Sequence, residues 1–260
     1  MKKYLVLGSC RVVNTIAYEI GKNVLLNRND LWFTHYIQEH IQKIKHLFGR
    51  QSLPEAQKEL FVRYEQNAHY SNHSTLKVGE SLSTGNVELQ PCEQHGALNV
   101  VVELPTIRYI SIPMFGKRYW GHTSSLGLIR ESEFNQAGGY STDNEFLSLL
   151  NEFEAEVVTS LLGTQIAEAV NFVYVPHSPF IETKDKKWEI SEQRAHIFEL
   201  IQKHCINVVD DLKLPIKRNF LDVKAMIDDN GGVDAMLTDQ NHYSLHGRKV
   251  AFKYLDALTE

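Results

Sequence analysis

The sequence predicts an α/β protein, a parallel sheet with helices over both faces. Three observations carry that expectation. Short apolar runs, "LNVVVEL" (98–104) the clearest of them, alternate along the chain with stretches of helical periodicity. Those runs are continuously apolar and β-branched, the pattern of strands buried on both sides. With 260 residues, 43% of them hydrophobic, the chain is long enough for one sizeable core.

Residues 3–8 read as the first strand. A helix over 11–21 follows, with Val12, Val13, Ile16, Ala17 and Ile20 on one face and Gly21 placed to end it. "NVLL" (23–26) is a short second strand. "DLWFTHYIQEHIQKIKHLFG" has helical spacing, with Asp30 as N-cap and Gly49 as the stop, and 53–64 continues as helix. The polar, turn-rich stretch 68–96 carries no clear pattern. After the third strand at 98–104, residues 105–141 read as irregular and rich in aromatic residues and Gly. Residues 144–162 form an amphipathic helix, "VNFVYV" (170–175) a fourth strand, and 190–205 a helix with Ser191 near its start. "NFLDV" (219–223) is preferred to "INVVD" (206–210) as the fifth strand because it leads into the C-terminal motif. A helix over 244–258 closes the chain, with Val250, Ala251, Tyr254, Leu255 and Leu258 on one stripe. Repeats, low-complexity tracts and linker-like stretches are absent, so a single domain over 1–260 is expected, with insertions around 50–96 and 105–143.

Composition narrows the function classes. A net charge of -5 supplies no basic face for nucleic acid. The apolar run at the N-terminus, Tyr4 to Leu7, is shorter than a signal-peptide core, and Arg11 follows at once. No stretch approaches the ~20 apolar residues of a membrane span. Cys10, Cys92 and Cys205 are odd in number, widely spaced and without a CxxC, which points to reduced thiols and a cytoplasmic setting.

Two segments carry chemistry. In "VLGSCRV" (6–12) an apolar strand ends in Gly-Ser-Cys-Arg and turns helical. In an open parallel sheet this is the edge where ligands sit, and the start of a helix favours a thiolate. Backbone N–H groups there also suit a developing oxyanion. The bland alternative for Cys10 is a buried thiol. At the other end, "TDQNHYSLHGRKVAFKYL" (238–255) places Asp239 three residues before His242, ahead of a helix capped by Ser244. A Cys nucleophile needs a base, and a His oriented by a carboxylate is the usual one. His242 and His246 share a metal-ligand spacing, but the Ser244 cap puts His242 outside the helix. His69 and His73 have the same spacing with no acidic or Cys partner nearby, and twelve His yield such pairs by chance, so no metal is expected. Arg11 either faces solvent or holds a phosphate or carboxylate. His177, in "PHSPF" (176–180), is either near the site or a satisfied loop histidine. The Gly-x-Gly-x-x-Gly of dinucleotide binding is missing.

The two ends together resemble the SGNH (GDSL-type) hydrolase superfamily. Its last block runs Asp-x-x-His, a small or Ser residue, a Gly and a helix, matched here by Asp239, His242, Ser244 and Gly247. Its first block is an apolar strand followed by Gly-Asp-Ser; Ser9 stands in the Asp place and Cys10 in the nucleophile place. A Cys there is similar to the GSCFA group and to the capsule-biosynthesis acetyltransferase branch, which carries Gly-Asn-Cys-Gln and is associated with coenzyme A. The resemblance implies a three-layer α/β/α sandwich with a five-stranded parallel sheet. The middle of the chain departs from the family. Where the third block has Gly-x-Asn-Asp, this chain has Pro105, Thr106, Ile107 and Arg108, and a Gly for the second block is not placed, Thr34 being only a guess.

The expected activity is acyl transfer, as acyltransferase or as esterase or thioesterase, through an acyl-enzyme on Cys10. His242 serves as base and then acid, and Asp239 orients it. Ser9, Arg11 and Arg108 are the candidate oxyanion or substrate-binding residues. No cofactor is required. An acyl-coenzyme A thioester is the candidate donor, and a small molecule or saccharide the acceptor. The competing expectation is a degenerate SGNH-fold protein that binds a carbohydrate or coenzyme A without turnover.

Overall fold

A strand satisfies its backbone only by pairing with neighbouring strands, and the longest β-branched apolar runs pair with one another here. The computed structural model describes residues 3–8, 11–12, 15–16, 37, 40–41, 44–45, 97–104, 108–114, 117–120, 138–140, 142–162, 167–207 and 214–259. In chain order the elements are β1 (Lys3–Leu7), β2 (Ala97–Leu104), β3 (Arg108–Met114), β4 (Lys117–Trp120), β5 (Gly138–Tyr140), α1 (Asp143–Leu162), β6 (Ala169–Pro176), β7 (Phe180–Glu182), β8 (Trp188–Ile190), α2 (Glu192–Asn207), β9 (Ile216–Phe220), α3 (Val223–Asp229), α4 (Val233–Met236), β10 (Leu237–Asp239), β11 (His242–Tyr243) and α5 (Leu245–Leu258). Helical residues also occur at 11–12, 15–16, 37, 40–41 and 44–45.

The chain divides into two units. The first comprises Met1–Leu25, Pro91–Thr106 and Ile166–Glu260, and the second Leu26–Gln90 and Ile107–Gln165. In the first, β1, β2, β6 and β9 form a parallel sheet in that order. The first three match expected strands and β9 overlaps the expected 219–223 only at Asn219 and Phe220; the expected strand 23–26 lies outside the described residues, as do the expected helix 53–64 and the polar stretch 68–96. Helices meet both faces of this sheet. On one face Tyr174 and Phe220, partners in register, take the edges of His204 and Phe198 from α2 at ring distances of 5.7 and 5.5 Å. Along the strands, side chains alternate between faces, and the other set faces α5. Asn171 Nδ2 donates to Asn99 Oδ1 at 2.9 Å and to the Leu258 carbonyl at 3.1 Å. Asn219 Nδ2 donates to Asn171 Oδ1 at 2.9 Å and to the same carbonyl at 3.0 Å. A ladder of three asparagines thus ties the last turn of α5 to the sheet and satisfies a helix-end carbonyl that has no partner in its own helix. Tyr4 adds a hydrogen bond to Asp256 at 2.9 Å. Burial pushes its phenol up to about 12, with Thr259 lowering it and Asp256 raising it.

Local chemistry sets the ends of the helices. Ser244 Oγ accepts from Gly247 N at 2.9 Å, the expected cap of α5. Gly247 is required there, because a Cβ would run into the Met236 carbonyl. Asp222 Oδ1 accepts from Ala225 N and starts α3. That cap corrects the expected strand 219–223: Asp222 turns the chain into a helix, so β9 lies upstream at Ile216–Phe220. In the second unit, Thr142 and Glu145 form a reciprocal capping box for α1, with Thr142 N donating to Glu145 Oε2 at 2.7 Å and Glu145 N to Thr142 Oγ1 at 3.3 Å. This helix buries Phe146, Leu150, Phe153, Val157 and Leu161 along one stripe. The expectation of irregular structure over 105–141 is also corrected: β3 pairs antiparallel with both β4 and β5. Two residues separate Met114 from its partner Lys117, the length of a tight hairpin connection. No described helix is long and apolar enough to cross a membrane.

Replacing Asn171 with Ala strips the ladder of its central member and removes one hydrogen bond each from the buried Asn99 and the half-buried Asn219. The expected loss is about 1–3 kcal/mol of unfolding free energy, read from urea titration. An unchanged midpoint would show that the ladder does not hold α5 to the sheet.

Candidate functional site

A charged group at the end of an apolar strand must be paired if it is to stay charged. Glu103, next to last in β2, has a fully buried side chain. Arg11 Nη2 lies 2.9 Å from its Oε1 and also donates to the Pro176 carbonyl at 3.2 Å. His177 Nε2 approaches the same Oε1 at 3.1 Å. The register explains this meeting. Leu7 pairs with Val102, so Gly8 comes beside Glu103, and Glu103 pairs with Val175, so β6 ends just before His177. Gly8 is dictated by that approach: a Cβ there would lie 2.6 Å from Glu103 Cβ. The sequence "GSCR" therefore has its Gly and its Arg for one reason, the carboxylate alongside.

The Arg11 guanidinium also lies over the ring of Tyr243, its Cζ 5.3 Å from the centroid. Tyr243 is 2% exposed, and its hydroxyl has no hydrogen-bond partner among the described residues. Burial pushes that phenol up, with Arg11 opposing and Glu103 reinforcing the shift. Through this contact the residue after Ser9 and Cys10 touches the residue after His242.

Asp239 and His242 face each other across the β10–β11 hairpin. His242 Nδ1 lies 2.9 and 2.8 Å from the two carboxylate oxygens. A carboxylate only accepts, so Nδ1 carries the proton and Nε2 is the nitrogen that can take another. Asn241 N donates to Asp239 Oδ1 at 2.7 Å. Partial burial raises the Asp239 carboxyl, but the bonds from His242 and Asn241 outweigh it and hold the group below the ordinary carboxylate range. The hairpin is fixed from below, where Ser244 N donates to the Met236 carbonyl and Ser244 Oγ to that of Ala235.

The structure thus brings Asp239 and His242 together and sets Arg11 against the same hairpin. Arg11 is buried and holds the carboxylate of Glu103 rather than facing solvent. Arg108 lies in β3, paired with Tyr140. Ser9, Cys10 and Cys92 lie outside the described residues, as do His69, His73 and Thr34, while Cys205 is in α2. His246 is inside α5 and His242 outside it, and among the described residues no group of three metal-ligating side chains occurs. Sequence reasoning passed over Glu103, Tyr243 and Arg194. One signal for the first was available: a single acid in the run "LNVVVEL", which a buried strand tolerates only with a countercharge.

Burial holds the His177 imidazole at about 3, the charges of Arg11 and Arg194 pushing the same way and Glu103 pulling against them. In the unfolded chain this ring titrates near 6.5. A depressed histidine contributes stability that is complete above pH 6.5 and is lost as pH falls towards 3. Between pH 7.5 and 5.0 the native protein should therefore lose up to about 2 kcal/mol more than a His177→Gln variant does. Urea midpoints at the two pH values measure this. Equal losses would mean that His177 takes up its proton as freely in the fold as in the unfolded chain.

Protein-family models, curated proteins and solved structures all give no match to this chain.

Proposed function

We propose that the protein is an acyl-transfer enzyme of SGNH-like fold, a three-layer α/β/α sandwich with a five-stranded parallel sheet. Cys10 is the nucleophile, His242 the base and then the acid, and Asp239 the residue that orients His242. One observation carries the reading: Arg11, next to Cys10, packs on Tyr243, next to His242. The Asp239–His242 pair already has the geometry of a general base and its orienting carboxylate.

In the first step the Cys10 thiol gives its proton to His242 Nε2 and its sulfur attacks the carbonyl carbon of a thioester or ester. The new carbon–sulfur bond forms as the donor's bond breaks, and the leaving thiol or alcohol takes the proton back. In the second step an acceptor hydroxyl, or water, loses its proton to His242 and attacks the acyl carbon; the carbon–sulfur bond breaks and the Cys10 sulfur takes that proton back from His242. A thiolate suits an acyl-coenzyme A donor because thiol exchange is near neutral in energy, and a small molecule or saccharide is the acceptor. Residues 105–108 lack the family Asn. The widely spaced cysteines support a cytoplasmic setting. The missing Asn also favours a second reading, a degenerate member that binds coenzyme A or a carbohydrate without turnover.

Intact-mass measurement after incubation with a panel of acyl-coenzyme A thioesters separates the two. The expected result is a gain of one acyl group that disappears in Cys10→Ala and forms about 10²–10⁴-fold more slowly in His242→Ala. Thermal stabilisation by coenzyme A, equal in wild type and Cys10→Ala and without any acyl adduct, would replace the enzyme reading with the binding one.

A further inference from the structure

The Asp239–His242 pair is nearly half exposed, at 45% and 46%, so burial alone does not immobilise it. Ser244 fixes the base of the hairpin, and the two residues between the pair fix its tip. Arg194, in the first turn of α2, reaches both. Its Nη1 lies 3.0 Å from the Gln240 carbonyl, and its Nη2 lies 3.2 Å from Asn241 Oδ1. The same Nη1 lies 3.0 Å from the Ser178 carbonyl and 3.2 Å from that of Phe180, at the carboxyl edge of β6. Asn241 in turn donates its N–H to Asp239. We propose that Arg194 is the positioning residue of the Asp239–His242 pair, clamping the turn that carries it to the segment after β6.

The chemistry fits arginine and no other side chain. A planar fork presents donors in fixed directions to two separate backbone segments, which a lysine ammonium on a flexible stem does not. Burial and the nearby charge of Arg11 bring the guanidinium down to about 10, so it is charged at neutral pH. Every partner it has here is a neutral carbonyl or amide oxygen, so its work is geometric. By holding Gln240 and Asn241 it keeps the Asp239 carboxylate under His242 Nδ1, and so keeps the proton on Nδ1 and the lone pair on Nε2.

Only the kinetic part of this proposal rests on the acyl-transfer reading; the tautomer of His242 does not. Long-range proton–nitrogen correlation spectra of the folded full chain at pH 8 report that tautomer. The wild type should show the Nδ1–H form. Arg194→Ala should show a mixture with the Nε2–H form, Arg194→Lys should recover part of the wild-type pattern, and acylation of Cys10 should slow by about 10–10²-fold in the Ala variant. A wild-type tautomer in folded Arg194→Ala would overturn the proposal. Should that variant fail to fold, Asn241→Ala and Arg194→Lys replace it, and wild-type spectra in both would overturn it equally. If Cys10 proves inert to every donor while the tautomer still shifts, the clamp stands and the acyl-transfer reading falls.

Discussion

Burying Glu103 is the constraint from which the rest of the site follows. A carboxylate withdrawn from water at the end of β2 demands a cation, and removing one partner from such a pair typically costs about 3–5 kcal/mol. Arg11 meets that demand, and because it sits three residues past Gly8 it also fixes where the chain goes after β1. The guanidinium keeps a face for Tyr243. One buried ion pair therefore connects the first strand of the sheet to the hairpin near the end of the chain.

Polar groups do comparable work on the rest of the C-terminal segment. The asparagine ladder anchors the far end of α5, Ser244 and Gly247 seat its start on α4, and Arg194 spans the gap to the segment after β6. These contacts are directional where apolar packing is not. Packing brings helix and sheet together, while hydrogen bonds and charge select one registry among many. A half-exposed pair such as Asp239 and His242 depends on such contacts, because its own side chains bury too little surface to be fixed by packing.

Features with a local cause were legible in the sequence. The runs at 3–8, 98–104 and 170–175 match β1, β2 and β6 closely, since continuous apolar runs have few other solutions. Ser244 as a cap and the facing of Asp239 and His242 were readable because each is settled within a few residues. Features settled at a distance were not. Nothing near Glu103 in sequence announces Arg11 or His177, and nothing near Arg194 announces residues 240 and 241. Pro113 and the four-residue length of β4 obscure the β3–β4 hairpin, and Asp222 sits in an apolar run although its side chain caps a helix.

The central claim is that the pairing of the chain ends makes Cys10 a reactive thiol served by His242. The most direct measurement is competitive alkylation of the folded protein with limiting iodoacetamide at pH 6.5, followed by peptide mapping of the three cysteines. Cys10 should be labelled ahead of Cys92 and Cys205, and Asp239→Asn should slow its labelling without changing the other two. Equal labelling of all three, or a Cys10 untouched until the protein is unfolded, would contradict the account and return "GSCR" to a strand end shaped by Glu103 alone.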